Sequence, residues 1–399
     1  MTKDLLALLK ERGLFVQANF EKELKQLLNQ GSFAFYVGFD PTAPSLHIGN
    51  YVLLHVAQIF QAMGHIPHVL LGSGTALIGD PTGRMELRQM MSRETIAENT
   101  RNIKKQIRRF LGSNVVFCQN ETWLKKLNYI EVIRELGPCF SVNKMLATDA
   151  FSARWERGLT LMELNYMVLQ AYDFYYLNQK YGVQLQIGGS DQWANILAGA
   201  DLIRRKTQKQ VYGMTTNLLV KANGEKMGKS ASGALWLDPQ KTSPYDFYQY
   251  WINLDDASLQ KVFLMLTKLD TKAIETLCNL KGAAIKEAKA KLAFELTDAI
   301  HGTKAALVAQ AKSARIFAFQ PDTETKTVRA GTRLVDVIVD LGLVVSRSEA
   351  RRVIQQGGLT INQEKVTDVE MVLQASSQPL VIGKGKKRFV TVQVIANTK

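Results

Sequence analysis

"YVGFDPTAPSLHIGNYVLL", residues 36 to 54, passes from an apolar run through a glycine–aspartate–proline turn into helix-compatible sequence. Its upstream end belongs to "FAFYVGF" (33 to 39), a buried strand bounded by Gly31 and Ser32 on one side and Asp40 and Pro41 on the other. Helical sequence continues from 46 to 63, "IPHVLLG" (66 to 72) is the next strand, and "GSGTALIGDPTGR" (72 to 84) is a glycine-rich loop. Strand, helix, strand and glycine loop is the rhythm of an α/β doubly wound parallel sheet. Ligands of such sheets sit beyond the carboxyl ends of the strands, which is where 38 to 44 and 72 to 83 fall.

Outward from this unit, residues 3 to 30 have helical periodicity, 92 to 111 are helical and basic, and "NVVFC" is a short strand. Residues 159 to 182 read as a long, largely buried helix, and "VQLQIGGSDQWANILAGADLIRR" as strand, glycine turn and helix. From about 243 to 315 nearly everything is helical. The polar segment 319 to 331 lacks apolar periodicity and reads as a linker; short helices and β-branched strands beyond it form a small separate domain.

At 399 residues the chain calls for two or three domains. With 46% hydrophobic and 22% charged residues it is of ordinary globular composition, and no apolar run reaches the ~18 residues that cross a bilayer. The first 15 residues mix acids and bases among leucines, as an amphipathic helix does and a signal peptide does not, so export is not expected. Cys118, Cys139 and Cys278 are scattered without a C-x-x-C, which fits small buried hydrophobes in a reducing cytosol rather than a disulfide frame or zinc ribbon. The net charge of +14 points to a polyanionic partner, or only to a cation-rich surface.

Two short motifs carry chemistry. In "HIGN", His47 and Asn50 lie one turn apart near a helix start, where free N–H groups and the dipole favour phosphate. Gly49 allows a ligand to approach the backbone. A lone helical histidine is usually just packed or solvated; the strand-end crevice makes this one different. In "KMGKS", Lys226 and Lys229 flank Gly228 and suit polyphosphate as mobile point charges, although such a loop on its own is ordinary surface.

Taken together, H-I-G-x and K-M-x-K-S resemble the two signatures of class I aminoacyl-tRNA synthetases. "YVGFDPTAP", "GDPTGR", "LNYMVLQAYDF" and "LQIGGSDQWANI" narrow the resemblance to the bacterial-type tyrosyl-tRNA synthetases, along most of the chain. The resemblance implies a Rossmann-like catalytic domain over 1–225, with a dimer-interface insertion at about 123–165. It further implies a signature loop and helical anticodon-side domain over 226–320, a linker at 321–328 and an S4-like RNA-binding α+β domain over 329–399. It implies tyrosine activation by ATP, with Mg2+ carried on the phosphates and no protein-held metal, followed by transfer to tRNA(Tyr). A cytoplasmic homodimer is expected, with no membrane association.

Roles follow position by position. Tyr36 and Asp173 match the groups that hydrogen-bond the substrate phenol; either alone could be core, but a buried carboxylate and phenol need partners. Tyr166, Gln170 and Asp80 match the ammonium site, with Tyr166, Gln170 and Asp173 on one helix face. Asn120, Gln186 and Gln192 complete the amino-acid pocket, Gln192 near the carboxylate. Gly38, Asp40, Thr42, His47, Gly49 and Asn50 match ATP contacts, Gly188, Gly189 and Asp191 a ribose-binding turn, and Lys226 and Lys229 the β- and γ-phosphates. His47, Asn50, Lys226 and Lys229 are the expected catalytic group. Arg84 and Arg88 either assist or are solvated cations.

Some positions depart from the family pattern. Asn50 stands where histidine is commoner, Gly228 where serine is frequent, and Val37 and Leu53 lack a polar atom that some relatives turn to the ribose.

The C-terminal stretch resembles an S4-type RNA-binding module. Ser346-x-x-Glu349 is a capping box opening a helix with Arg347, Arg351 and Arg352 that ends at Gly357 and Gly358. Residues 329 to 399 hold eleven Lys/Arg against six Asp/Glu, and Lys386, Lys387 and Arg388 form a basic turn. Beside such a module phosphate-backbone binding is the better reading. Two rivals are a tryptophanyl-tRNA synthetase, opposed by Tyr36, Asp173 and the S4-like tail, and a non-catalytic RNA-binding relative, opposed by the intact signatures.

Overall fold

The computed structural model describes residues 4–82, 91–148, 151, 158–221, 224–230, 233–317, 325–362, 364–376, 378–385 and 388–396, with backbone alone at 229–230, 283 and 315–317. The chain divides into two compact units. One comprises Met1–Ser243 with Tyr250–Leu296, the other Pro244–Gln249 with Thr297–Lys399. The division falls within the helical stretch.

The first unit is built on six strands: β1 (Gln17–Ala18), β2 (Ala34–Phe39), β3 (Ile66–Leu71), β4 (Val116–Gln119), β5 (Val183–Gly189) and β6 (Tyr212–Thr216). Their order is β1-β6-β5-β2-β3-β4, parallel throughout except that β1 runs antiparallel to β6. The chain leaves β2 toward β3 and β4, then crosses back to β5 on the other side. That reversal between β2 and β5 opens a crevice at the strand ends. Phe35, Val37, Val69, Leu71, Leu185 and Ile187 are fully or almost fully buried, as strands covered on both faces require.

The described helices up to residue 207 are α1 (Leu5–Glu11), α2 (Glu21–Asn29), α3 (Ile48–Ala62), α4 (Arg93–Leu111), α5 (Glu121–Leu124), α6 (Tyr129–Glu135), α7 (Val142–Leu146), α8 (Leu161–Tyr181) and α9 (Trp193–Thr207). The helical periodicity over 3 to 30 is thus cut in two. Asp4 caps α1, Gly13 turns at φ +64°, and β1 intervenes before Phe20, in a left-handed conformation, opens α2. The long helix predicted at 159 to 182 is α8. Thr160 and Glu163 cap it reciprocally, and Gly182 ends it at φ +64°.

After β7 (Lys229–Ser230) and β8 (Gly233–Ala234), which form a two-residue hairpin, comes α10 (Pro244–Ile252). The second unit carries β9 (Lys326–Arg329), β10 (Leu359–Ile361), β11 (Glu364–Val366), β12 (Leu380–Lys384) and β13 (Arg388–Ile395) in the order β11-β10-β12-β13-β9. Helices Leu334–Asp340 and Arg347–Gln355 close a core of Leu334, Ile338, Ala350, Ile354 and Ile382. β9 lies in the segment read as linker. Three of its four residues are exposed and only Val328 is partly buried, because it is an edge strand held mainly by parallel pairing to β13.

Candidate active site

A cavity of about 800 Å3 opens beyond the carboxyl ends of β2, β3 and β5. Its closed end is a hydrogen-bond network around two carboxylates. Asp173, on α8 and 1% exposed, accepts from Trp123 Nε1 (2.8 Å) and Asn120 Nδ2 (2.9 Å). Asn120 is held in turn: it accepts from the Gly74 N–H (2.7 Å) and donates to Thr75 Oγ1 (3.0 Å). Thr75 donates to Asp40 Oδ1 (2.8 Å), and Tyr166 donates to Asp40 Oδ2 (2.8 Å). Gly72 is required beside this pair, since a Cβ there would stand 1.9 Å from Asp40 Oδ1. Burial pushes the Asp173 carboxyl up to about 8 despite its two donors.

Facing Asp173 is Tyr36 at mid-β2, 1% exposed, its phenol raised by burial and then by the Asp173 charge. Its hydroxyl is buried with no hydrogen-bond partner among the described residues, as are Gln170 Oε1 and Gln186 Oε1. Orphaned groups converging on one cavity mark where a polar ligand belongs. Nearby, Gln192 donates to Asp80 Oδ2 (2.8 Å) and accepts weakly from Gln170 Nε2 (3.3 Å).

The open end is made differently. His47 is the N-cap of α3: its Nδ1 accepts the Gly49 N–H (3.1 Å), while Asn50 Oδ1 accepts the His47 N–H (3.0 Å). Acceptance at Nδ1 leaves the neutral ring's proton on Nε2 as a donor. Burial, then the Lys226 charge, lowers the His47 pKa and keeps the ring neutral. Gly49 is glycine because a Cβ would meet the His47 ring at 2.9 Å. Gly38, by contrast, has open space where a Cβ would project, so the floor of β2 is clear for a ligand.

The loop before His47 is clamped from α4. Asn99 Nδ2 donates to the Pro41 carbonyl (3.0 Å), and buried Gln106 accepts the Leu46 N–H (2.9 Å) and donates to Ser45 Oγ (3.0 Å). The hairpin bearing the lysines is tied to the same loop by backbone. Ile48 N–H donates to Leu235 O (2.9 Å), Leu237 N–H to Leu46 O (2.9 Å), and His47 pairs with Trp236. The Lys226 charge bears on both His47 and Asp191, whose carboxyl is raised by burial.

The cavity lining thus brings together Tyr36, Asp80, Tyr166, Gln170, Asp173, Gln186 and Gln192, the residues expected around the amino acid. It also gathers Gly38, Asp40, Thr42, His47, Gly49, Asn50, Gly188, Gly189, Asp191 and Lys226, the residues expected around ATP. Asn120 lies beneath the wall, fully buried. The Lys229 side chain, Arg84 and Arg88 lie outside the described residues. Sequence reading missed Thr75, Trp123, Asn99, Gln106 and Trp236. Trp123 alone left a trace, as an aromatic four residues past the end of β4.

In the second unit Ser346 caps its helix by accepting the Glu349 N–H (3.2 Å), but Glu349 reaches back to Val345 N–H (2.9 Å), one residue earlier than expected. Arg347 is ion-paired with Asp336 (2.6 Å). Arg351, Arg352 and Arg388 are exposed and have no carboxylate within ion-pair distance among the described residues; Lys386 and Lys387 lie outside them.

A doubly wound sheet with a capped helix start on one side of its crevice and a lysine hairpin on the other defines a class of nucleotide-using enzymes. Comparison with known proteins sets the branch. The family described as "tRNA synthetases class I (W and Y)" matches residues 28–318, and "Tyrosine--tRNA ligase SYY-like C-terminal domain" matches 315–392. A curated tyrosine–tRNA ligase of Mycoplasma genitalium is 62% identical over 395 residues, covering 99% of this chain and 100% of the relative. That of Clostridium kluyveri is 47% identical, covering 96% and 97%. The crystal structure of a C-terminally truncated Coccidioides posadasii mitochondrial tyrosyl-tRNA synthetase is 32% identical, with a TM-score of 0.65 over 77% of this chain and 91% of that one. The chain belongs to the class I tRNA synthetases, among the tyrosine–tRNA ligases.

Proposed function

We propose that this pocket runs both half-reactions of tyrosine–tRNA ligation. A tyrosine carboxylate oxygen attacks the α-phosphorus of ATP, the bond to the β-phosphate bridging oxygen breaks, and pyrophosphate leaves. A ribose hydroxyl of the 3′-terminal adenosine of tRNA(Tyr) then attacks the tyrosyl carbonyl carbon, and AMP leaves. No protein nucleophile is needed; positioning and charge stabilisation supply the rate.

The observation that carries this reading is the gap between the orphaned Tyr36 hydroxyl and the buried Asp173 carboxyl. A substrate phenol both donates and accepts, and satisfies both; an indole N–H only donates, and a phenyl ring does neither. Asp80, Tyr166 and Gln170 would take the ammonium group, Gln192 the carboxylate, with Gln186 and Asn120 completing the pocket. His47 Nε2–H, Asn50 Nδ2, Lys226 and Lys229 would donate to the phosphates. Gly38, Gly49 and Gly188 would let ATP approach the backbone, Asp191 would meet the ribose, and Asp40 and Thr42 would stand where the two substrates join. Magnesium, bound through the ATP phosphates, would neutralise charge as pyrophosphate departs.

The same reading assigns a homodimer. Tyr129, Ile130, Ile133, Val142 and Leu161 are 51–71% exposed, an apolar set in the segment expected to form the interface. Arg351, Arg352 and Arg388, with Lys386 and Lys387, would meet the tRNA backbone, and charging would take place in the cytoplasm.

The test is ATP–pyrophosphate exchange with each of the standard amino acids in turn. Exchange with tyrosine alone is expected. Exchange driven by tryptophan, or none at all, would overturn the assignment.

A further inference from the structure

The hairpin bearing Lys226 and Lys229 must hold two flexible cations over phosphates, yet its own strands are only two residues long. The turn that leads into it, Met227 and Gly228, is anchored on several sides. Met227, 5% exposed, donates its N–H to Leu219 O (2.8 Å), and Gly228 O accepts the Leu235 N–H (2.7 Å). Gly228 has φ +86°, and a Cβ there would stand 2.4 Å from Ile48 Cγ2. The glycine therefore lies directly on the first turn of α3, which explains why serine does not fit this position of this chain. One polar group of the turn is satisfied by a side chain from outside: the Gly228 N–H donates to the Tyr250 hydroxyl at 2.8 Å. Tyr250 sits near the end of α10, its ring edge-on to Trp251 at 4.9 Å, with Lys221 and Asp255 the charged groups that face its phenol. Burial raises that phenol's pKa, so it stays neutral at physiological pH.

We propose that Tyr250 is a positioning residue for tyrosine activation: its hydroxyl latches the Gly228 N–H and so fixes the point from which both signature lysines depart toward the nucleotide. Gly228 separates Lys226 from Lys229, so anchoring its amide restrains both stems at once. With the glycine seated on Ile48, the latch holds the hairpin against the helix whose cap is His47. Nothing in the tyrosine end of the pocket depends on it. This inference rests on the proposed phosphate role of the two lysines.

Tyr250→Phe in the full-length protein removes the latch and keeps the ring. Two measurements read it. Amide hydrogen exchange of the peptide spanning 224 to 230, followed by mass spectrometry without ligands, is expected to quicken several-fold, because the side-chain acceptor of the Gly228 N–H is gone. In pyrophosphate exchange, kcat/KM for ATP is expected to fall about fivefold, the factor one neutral hydrogen bond carries, with the tyrosine KM and the melting temperature unchanged. Unchanged amide exchange together with unchanged ATP kinetics overturns the proposal. So does a variant whose tyrosine KM rises in step with that for ATP, or whose melting temperature drops. Wild-type protein without tyrosine-dependent exchange would instead overturn the functional assignment, while the amide measurement would still decide the latch.

Discussion

The two ends of the cavity solve opposite problems. At the closed end, proposed above to take tyrosine, side chains bind side chains: Asp173 and Asp40 each accept hydrogen bonds from two side chains. At the open end, proposed above to take ATP, the protein offers a helix cap, a glycine floor and Lys226 just ahead of a short hairpin. Selecting one small molecule needs acceptors whose position is already fixed. Handling a polyphosphate that gains charge and then leaves needs donors that can follow it. Substitutions should therefore separate the two substrates cleanly.

The largest separation is expected from Lys229→Ala. The rate of adenylate formation should fall roughly a hundredfold or more, as when one transition-state donor is lost, with tyrosine affinity within about twofold. Stopped-flow activation assays check it, and an unchanged rate would erase the distinction between the ends. Asp173→Asn should act the other way, raising the tyrosine KM about tenfold, the upper scale of one hydrogen bond between neutral groups, with the ATP KM preserved. It carries a pH signature as well. The native carboxyl holds its proton up to about 8, whereas an unfolded aspartate loses it near 4. The native state then binds more protons between those limits, so this group's contribution to stability declines as pH rises through that window. Melting temperatures at pH 5 and 8.5 should show wild type losing ground to Asp173→Asn.

Gln106→Leu sharpens the comparison from a distance. It deprives the Leu46 N–H of its acceptor and should lower kcat/KM for ATP about tenfold, the penalty of one unsatisfied buried group, with little effect on tyrosine. An equal effect on both substrates would mean that α4 supports the whole sheet and not this loop. The smallest effect belongs to Asn50→His. Histidine also offers an acceptor for the cap and a donor for phosphate, so activation kinetics within about threefold of wild type are expected from stopped-flow measurements.

The strands Ala34–Phe39 and Ile66–Leu71 and the helix Leu161–Tyr181 were legible because burial leaves a period in the sequence. The break at Gly13 was hidden by leucines that keep helical spacing on both sides of it. The edge strand Lys326–Arg329 was hidden because pairing alone, without a buried face, writes no pattern. Within the site, the residues that line the cavity stood out through their motifs. The residues behind them did not: Gln106, Asn99 and Thr75 act through single long-range hydrogen bonds, which ordinary polar residues supply without any local signal.

The backbone pairing of 46–48 with 235–237 also governs when the site comes into being. Closing so long a loop is entropically costly and tends to come late in folding. During synthesis the first signature waits, with the Ile48 N–H and Leu46 carbonyl unpaired, until the chain has been extended past Leu237. The nascent sheet can be complete while the nucleotide end is not, so competence to activate an amino acid is a late property of the growing chain.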